Sequence, residues 1–514
     1  MEIMENKKGK VYLVGAGPGD PGLITLKGKE CIERADVIVY DFLASSYLLK
    51  YARKEAEIIY AGKQGGNHFM SQDNINALIA QKAKDGNVVT RLKGGDPFIF
   101  GRGAEEAEVL AKNNISFEIV PGVTSAIAAP AYAGIPLTHR SFTSTVAFVT
   151  GHENPEKEKS VINWEALVKG IGTIVFFMGV KNLPNIVGHL IDNGMSPDAS
   201  IALIQWGTTP KQASVSGKLS NIVERVKAAG LKPPSIIVVG DVVKLKDTLC
   251  WYEKKPLLGK RIVVTRAREQ ASDLVNLLSE NGADCIELPT IKVEPPDDWT
   301  PLNKAVENLS TYDWLVFTSV NGVSFFFDRL FSSGRDVRSL GNLKTAVIGP
   351  ATEKKLFEYG IKSDIVPKTY VAESIIESFK NEELRGKRVL LPRASEARAI
   401  LPEELVKMGA FVDEIMAYKT SSVCDESVNL IEELKNKTID MVTFTSSSTV
   451  KNFAALLPAA TVGELTKDVV VAAIGPITAD TAKNMGIKVR IIANSYTIPG
   501  LCEAILQYYD KDRK

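Results

Sequence analysis

Short aliphatic and β-branched runs, separated by longer polar stretches of helical spacing, recur from residue 11 to the C-terminal end of the chain. Runs at 11–15, 37–40, 58–61, 88–92 and 117–120 predict five strands. Runs at 145–150, 173–178, 201–205 and 235–240 predict a second group of four, joined to the first near Pro121-Gly122. Strands alternating with helices in this way predict α/β domains on mainly parallel sheets. A charged segment with one proline, 251–259, reads as a linker ahead of a fresh strand at 261–265.

Beyond the linker the pattern repeats. Residues 312–319 (Tyr-Asp-Trp-Leu-Val-Phe-Thr-Ser) return as 439–446 (Ile-Asp-Met-Val-Thr-Phe-Thr-Ser). Residues 346–352 (Ala-Val-Ile-Gly-Pro-Ala-Thr) return as 472–478 (Ala-Ala-Ile-Gly-Pro-Ile-Thr). Val264-Thr265-Arg266 answers Leu391-Pro392-Arg393, and Gly282-Ala283 answers Gly409-Ala410. All four matches share an offset of 126 or 127 residues, too regular for chance. The second half is therefore expected to be a duplicated α/β unit, its two similar lobes enclosing a cleft.

Composition narrows the partners. A chain of 514 residues has room for two to four domains, and 45% hydrophobic with 24% charged residues is ordinary for a soluble globular protein. A net charge of +1 gives no basic excess for a nucleic-acid partner. The five cysteines are scattered without a Cys-x-x-Cys pair, which fits a reducing cytosol and speaks against structural zinc. Four histidines without close helical spacing leave no metal site expected, and no apolar run is long enough to span a membrane. The chain reads as cytoplasmic.

Glycine-rich loops mark the chemistry of the first half. One follows the first strand at 14–22, and another leaves the fourth strand at 92–103, with Asp96 at its centre. Glycines let the main chain approach a ligand closely. Gly15-x-Gly17, with Asp41 ending the next strand, is part of a dinucleotide fingerprint. Its details disagree: Asp20 stands where the third glycine belongs, and Pro18 and Pro21 delay the helix whose amides would hold phosphate. A ligand without phosphates, carrying positive charge for Asp96 to balance, suits these loops better. S-adenosylmethionine, a sulfonium cation, meets that description.

Residues 14–20, 36–41, Gly62-Lys63, 91–103, 120–125, 134–140 (Gly-Ile-Pro-Leu-Thr-His-Arg), 150–152 and 177–179 resemble uroporphyrinogen-III C-methyltransferase, in order, from about residue 10 to 251. The resemblance implies two α/β lobes, about 10–122 and 123–250, with S-adenosylmethionine bound between them. Pro18, Gly94, Gly95, Asp96, Ile99, Thr124, Ser125, Met178 and Gly207 would line that pocket, although Trp206-Gly207-Thr208 departs from the family's Asn-Gly-Thr. The resemblance assigns Asp41 as proton acceptor and Lys63 as proton donor. Partial burial at a strand end would raise the pKa of Asp41 towards that of a useful base. Arg91, Lys93, Arg102, His139 and Arg140 are candidates for the acidic arms of a tetrapyrrole. Family resemblance also suggests a homodimer through this half.

The second half resembles uroporphyrinogen-III synthase over about 259–508, through Val264-Thr265-Arg266, 317–323, Leu391-Pro392-Arg393, Tyr418-Lys419-Thr420, 444–448 and 474–478. That family has two α/β lobes, here about 259–292 plus 421–510, and 293–420. The resemblance implies cyclisation of hydroxymethylbilane to uroporphyrinogen III with the last pyrrole inverted. Tyr418 matches a position that helps the hydroxyl leave. Arg266, Ser319, Asn321, Arg393, Ser446, Ser447 and Thr478 are candidates for the substrate's carboxylate arms, with helix capping as the plain alternative for the hydroxyls. The expected whole is a bifunctional enzyme that makes uroporphyrinogen III and methylates it twice to precorrin-2, for sirohaem or cobalamin. The rival is an RNA or protein methyltransferase of the same fold fused to a non-catalytic bilobed binding module.

Overall fold

The computed structural model describes residues 9–62, 70–152, 161–265, 272–288, 292–367, 372–394, 399–421 and 427–511. Lys63 and Arg266 lie outside the described residues. Two compact units divide the chain: Met1–Arg261 with Leu278–Asp284 and Tyr509–Lys514, and Ile262–Leu277 with Cys285–Tyr508.

The first unit holds two five-stranded sheets. One contains β1 (Lys10–Gly15), β2 (Val37–Tyr40), β3 (Glu57–Tyr60), β4 (Val88–Lys93) and β5 (Ser116–Val120), in the order β3-β2-β4-β1-β5 and parallel throughout. Alternation along β1 sends Val11 and Leu13 into one core cluster and Tyr12 and Val14 into another. A sheet covered on both faces needs such nearly continuous apolar strands. The other sheet contains β6 (Val146–Thr150), β7 (Thr173–Phe177), β8 (Ser200–Gln205), β9 (Ala213–Lys218) and β10 (Ser235–Val239), ordered β6-β7-β10-β8-β9.

This second sheet departs from the expected parallel pattern. Only β6 and β7 pair in parallel, while β10 runs antiparallel to both neighbours and β9 is an antiparallel edge. The edge strand β9 is not among the strands that the apolar runs predict. Its residues, Ala-Ser-Val-Ser-Gly-Lys, are mostly polar and half-exposed, so no apolar run announces the strand.

Residues 251–259, expected to form a linker, pack onto the first unit. Tyr252 and Leu257 are buried. The Tyr252 hydroxyl donates to the Thr208 carbonyl at 3.3 Å, and Glu253 accepts from Gln212 and Ser214. Burial pushes the Tyr252 phenol above its usual pKa.

In the second unit, one sheet contains β11 (Arg261–Thr265), β12 (Asp284–Glu287), β18 (Met441–Phe444), β19 (Val470–Ala473) and β20 (Ile491–Ile492), ordered β12-β11-β18-β19-β20. The other contains β13 (Lys292–Glu294), β14 (Trp314–Phe317), β15 (Lys344–Val347), β16 (Arg388–Ala394) and β17 (Phe411–Ser421), ordered β13-β17-β16-β14-β15. The repeat is visible in both. Strands β14 and β18 each run into a serine that caps the next helix, and β15 and β19 each into an extended Gly-Pro. The copies do not form one sheet each, however. Strands β11 and β12 of the first copy join β18 and β19 of the second, while β16 and β17 of the second join β14 and β15 of the first. Among the described residues, no helix is long and apolar enough to cross a membrane.

Candidate active sites

In the first unit the loops after β1, β4 and β5 meet at glycine. A Cβ on Gly15 would lie 2.5 Å from the Gly122 Cα, and one on Gly122 would lie 2.3 Å from the Gly95 carbonyl oxygen. Any side chain at either position would push the loops apart. Gly95, at φ +70°, exchanges two backbone hydrogen bonds with Gly17 (2.7 and 3.2 Å), which joins the two glycine-rich loops directly.

Asp96 fastens the same junction. Its Oδ1 accepts from the Phe98 and Ile99 amides at 2.8 and 3.1 Å, and its Oδ2 from the Gly122 amide at 3.0 Å. Its carboxylate is therefore committed to backbone amides, where the sequence had suggested a counter-charge for a cation. Thr124 caps the helix Ser125–Tyr132, and the Ser125 nitrogen lies 3.8 Å from a Cβ built on Gly95.

The second sheet contributes the opposite wall. Loop residue Asp20 accepts from its own amide frame at Gly22 and from the Tyr132 hydroxyl at 2.7 Å, while its amide donates to Thr208 Oγ1. Gly19 thus faces the loop of Gly207, which itself lies against Ala129. Ile99 packs against the core cluster of Phe177, the residue before Met178, and the Phe100 ring meets Phe177 in a tilted contact at 4.9 Å. Phe42, next to Asp41, meets Trp206 edge-on at 5.8 Å. Seven described non-glycine residues have positive φ, and five of them (Phe100, Arg102, Met178, Trp206 and Thr208) stand in the loops after β4, β7 and β8. Strained backbone concentrated at one set of loop ends is characteristic of a binding site.

Among the expected charged residues, several lie elsewhere than the sequence suggested. Arg91 and Lys93 are 2% and 4% exposed, and both donate to the fully buried Glu106. Expected as contacts for a substrate carboxylate, they lie instead in the interior, because both faces of β4 are covered. Burial, reinforced by Arg91, holds the Lys93 ammonium below the usual lysine pKa, with Glu106 opposing. Arg102 is exposed and paired with Glu105. His139 accepts from the Ser141 amide within its own turn and meets the Phe142 ring in a tilted contact, and Arg140 is exposed. Asp41 is only partly buried: Oδ2 accepts from Arg91 at 3.1 Å and Oδ1 from the Leu43 amide at 3.1 Å. Glu106 was not foreseen. The signal available was two cations at alternate positions of an otherwise apolar strand, which demand an anion behind them.

In the second unit, Tyr418 and Ser319 share a hydrogen bond of 2.9 Å, and Ser319 Oγ also accepts the Gly322 amide as a helix cap. Phe325, also unforeseen, stacks on the Tyr418 ring at 5.7 Å. Burial pushes the Tyr418 phenol up, with Ser319 and Arg393 opposing. Arg393 is buried at a bulge in β16 and pairs with Glu414 at 3.4 Å, and burial lowers its pKa. Asn321 and Thr478, at 8% and 5% exposure, stand in the first turns of their helices. Ser446 caps a helix in a capping box with Thr449, and Ser447 accepts from Thr481. These last two belong to the other sheet's end.

Known proteins resemble both halves. The family described as Tetrapyrrole (Corrin/Porphyrin) Methylases matches residues 10–223, and that described as Uroporphyrinogen-III synthase HemD matches 272–503. A porphyrin biosynthesis protein HemD of Ruminiclostridium josui is 38% identical across 97% of this chain and 98% of its own. A uroporphyrinogen-III C-methyltransferase of Priestia megaterium is 54% identical over 46% of this chain and 98% of its own. The solved uroporphyrin-III-C-methyltransferase of Thermus thermophilus is 36% identical over 48% of this chain and 97% of its own, at a TM-score of 0.40. The chain belongs to the tetrapyrrole methylases through its first half and to the uroporphyrinogen-III synthases through its second, and is a bifunctional tetrapyrrole enzyme.

Proposed function

We propose that the second half dehydrates hydroxymethylbilane and closes the macrocycle with the last pyrrole inverted. The first half then methylates the resulting uroporphyrinogen III twice to precorrin-2, the branch point towards sirohaem and cobalamin. The methyl donor is S-adenosyl-L-methionine, which supplies an electrophilic sulfonium methyl when bound. The observation that carries this reading is the meeting of three backbone loops at Gly15, Gly95 and Gly122, under a carboxylate that staples them. The loops fit a donor without phosphates. Asp20 already occupies the Gly22 amide, and the two cations of β4 are committed to Glu106.

In this reading Gly94, Gly95, Ile99, Thr124, Ser125, Met178, Gly207 and Pro18 shape the donor's pocket, and Asp96 holds the pocket's floor together. Orientation of the two reactants then supplies much of the rate. Once a pyrrole carbon has gained the methyl, the macrocycle must lose a proton from another position to restore conjugation, and Asp41 accepts it, with Lys63 as the donor elsewhere on the ring. In the second half, Tyr418 gives a proton to the departing hydroxyl, which leaves as water, and Ser319 aligns the phenol. We also read the protein as cytoplasmic, without nucleic-acid or membrane partners, and as a homodimer through its first half.

The test is a mass spectrum and isomer analysis of products formed from hydroxymethylbilane. Type III uroporphyrinogen without the donor, and the dimethylated precorrin-2 with it, are expected. Type I isomer alone, or no methylated macrocycle, overturns the corresponding half of the reading.

A further inference from the structure

We propose that Glu106 is a positioning residue of the methyl-transfer site, holding Asp41 in place by locking Arg91 from behind. The inference rests on the reading of Asp41 as proton acceptor. Arg91 is held on three sides. Its Nε donates to Glu106 Oε1 at 3.3 Å, its Nη1 to the Leu92 and Val39 carbonyls at 2.9 and 3.4 Å, and its Nη2 to Asp41 Oδ2 at 3.1 Å. A planar guanidinium fixed at two edges leaves its third edge one direction in which to point. That direction is the Asp41 carboxylate, which is 26% exposed while Arg91 is 3% exposed.

Glu106 is the hub of this lattice. Its Oε1 also accepts from Lys93 Nζ at 2.7 Å and from Gln72 Nε2 at 3.0 Å, and Gln72 is tied in turn to Asn76. Its Oε2 is buried with no hydrogen-bond partner among the described residues. Buried ion networks seldom stabilise a fold better than apolar side chains of the same volume. Here two cations and a carboxylate are enclosed directly beneath the Gly94-Gly95-Asp96 loop, in a strand whose other side chains are Val88, Val89, Thr90 and Leu92. Stability alone does not account for them. Fixing Asp41, the partly exposed carboxylate at the end of Arg91, does.

The experiment is a double-mutant cycle on the full chain, reading kcat and KM for methyl transfer from S-adenosylmethionine to uroporphyrinogen III. Glu106→Gln is expected to lower kcat roughly 10- to 100-fold, the scale of a misplaced reacting group, with KM nearly unchanged. In an Asp41→Asn background, the same change is expected to add less than about threefold, because coupled residues are not additive. A residue that serves only the fold has no reason to lose its effect when Asp41 is altered. If Glu106→Gln does not fold, Arg91→Lys replaces it: the ammonium keeps the charge but cannot span Glu106 and Asp41, and the same non-additivity is expected. Multiplicative losses, or a kcat unchanged by the single substitution, overturn the proposal alone. Wild-type kcat in Asp41→Asn overturns the reading of Asp41 and the proposal with it.

Discussion

Single residues separate chemistry that a sequence displays from chemistry that only burial reveals. Tyr418 shows this through its acidity. Desolvation raises its phenol above the ordinary value of about 10, so the hydroxyl stays protonated and able to donate across neutral pH. Loss of synthase activity through its ionisation is therefore expected only above about pH 10. Tyr418→Phe should reduce type III formation roughly 100-fold, in the range of a lost acid, and remove that alkaline limb. A pH–rate profile of both proteins checks this, and a Tyr418-dependent limb on the acidic side of the ordinary value contradicts it. Tyr418 was legible as a candidate because its phrase, Tyr-Lys-Thr, carries the resemblance. Arg91 and Lys93 were legible as charges but not as buried ones, since nothing in a strand's alternation says which face meets solvent. Glu106 was illegible for a different reason. Its partners lie 13 and 15 positions away on another element, and one acid of a Glu-Glu pair gives no sign of being the inner one.

Elements were read best where they are apolar and worst where they are edges. The strands β1, β2 and β7 have uninterrupted apolar runs because both their faces are covered, whereas β9 shows one polar face and a glycine. The antiparallel direction of β10 was equally hidden, because a strand has the same period in either direction. What holds neighbouring elements together at the site is the staple between the loops after β4 and β5. Asp96→Asn keeps the shape of the side chain but exchanges one acceptor oxygen for a donor. Turned either way, the amide leaves at least one of the Phe98, Ile99 and Gly122 N–H groups facing a donor or nothing. The expected cost is about 1–3 kcal/mol, that of an unsatisfied buried group. It should appear as faster hydrogen exchange at Gly122 and Phe98, together with weaker binding of S-adenosylhomocysteine. Exchange and affinity equal to the unaltered protein's would show that the loops do not depend on the carboxylate.

At the scale of the whole molecule, the duplication visible in the sequence does not mark the units that fold. Repeats spaced by 126 or 127 residues invite division into two copies, one from β11 to β15 and the other from β16 to β20. Each copy, however, carries two strands of one sheet and three of the other, and so contains part of two cores and the whole of neither. Strand β14 makes the point: it pairs with β15 of its own copy on one side and β16 of the other copy on the opposite side. Its Phe317 and Leu315 are buried in a cluster that includes Leu390, Ile415, Ala417 and Tyr418 from beyond the copy boundary. A fragment spanning 261–387 is therefore expected to remain unfolded, while one spanning 292–421 contains β13 to β17 complete and is expected to fold alone. It would also keep Ser319 against Tyr418. Far-UV circular dichroism with urea titration distinguishes them, and the folded fragment should unfold in one cooperative step, as single domains of this size usually do. Cooperative unfolding of 261–387, with 292–421 a random coil, would mean that the copies rather than the sheets are the folding units.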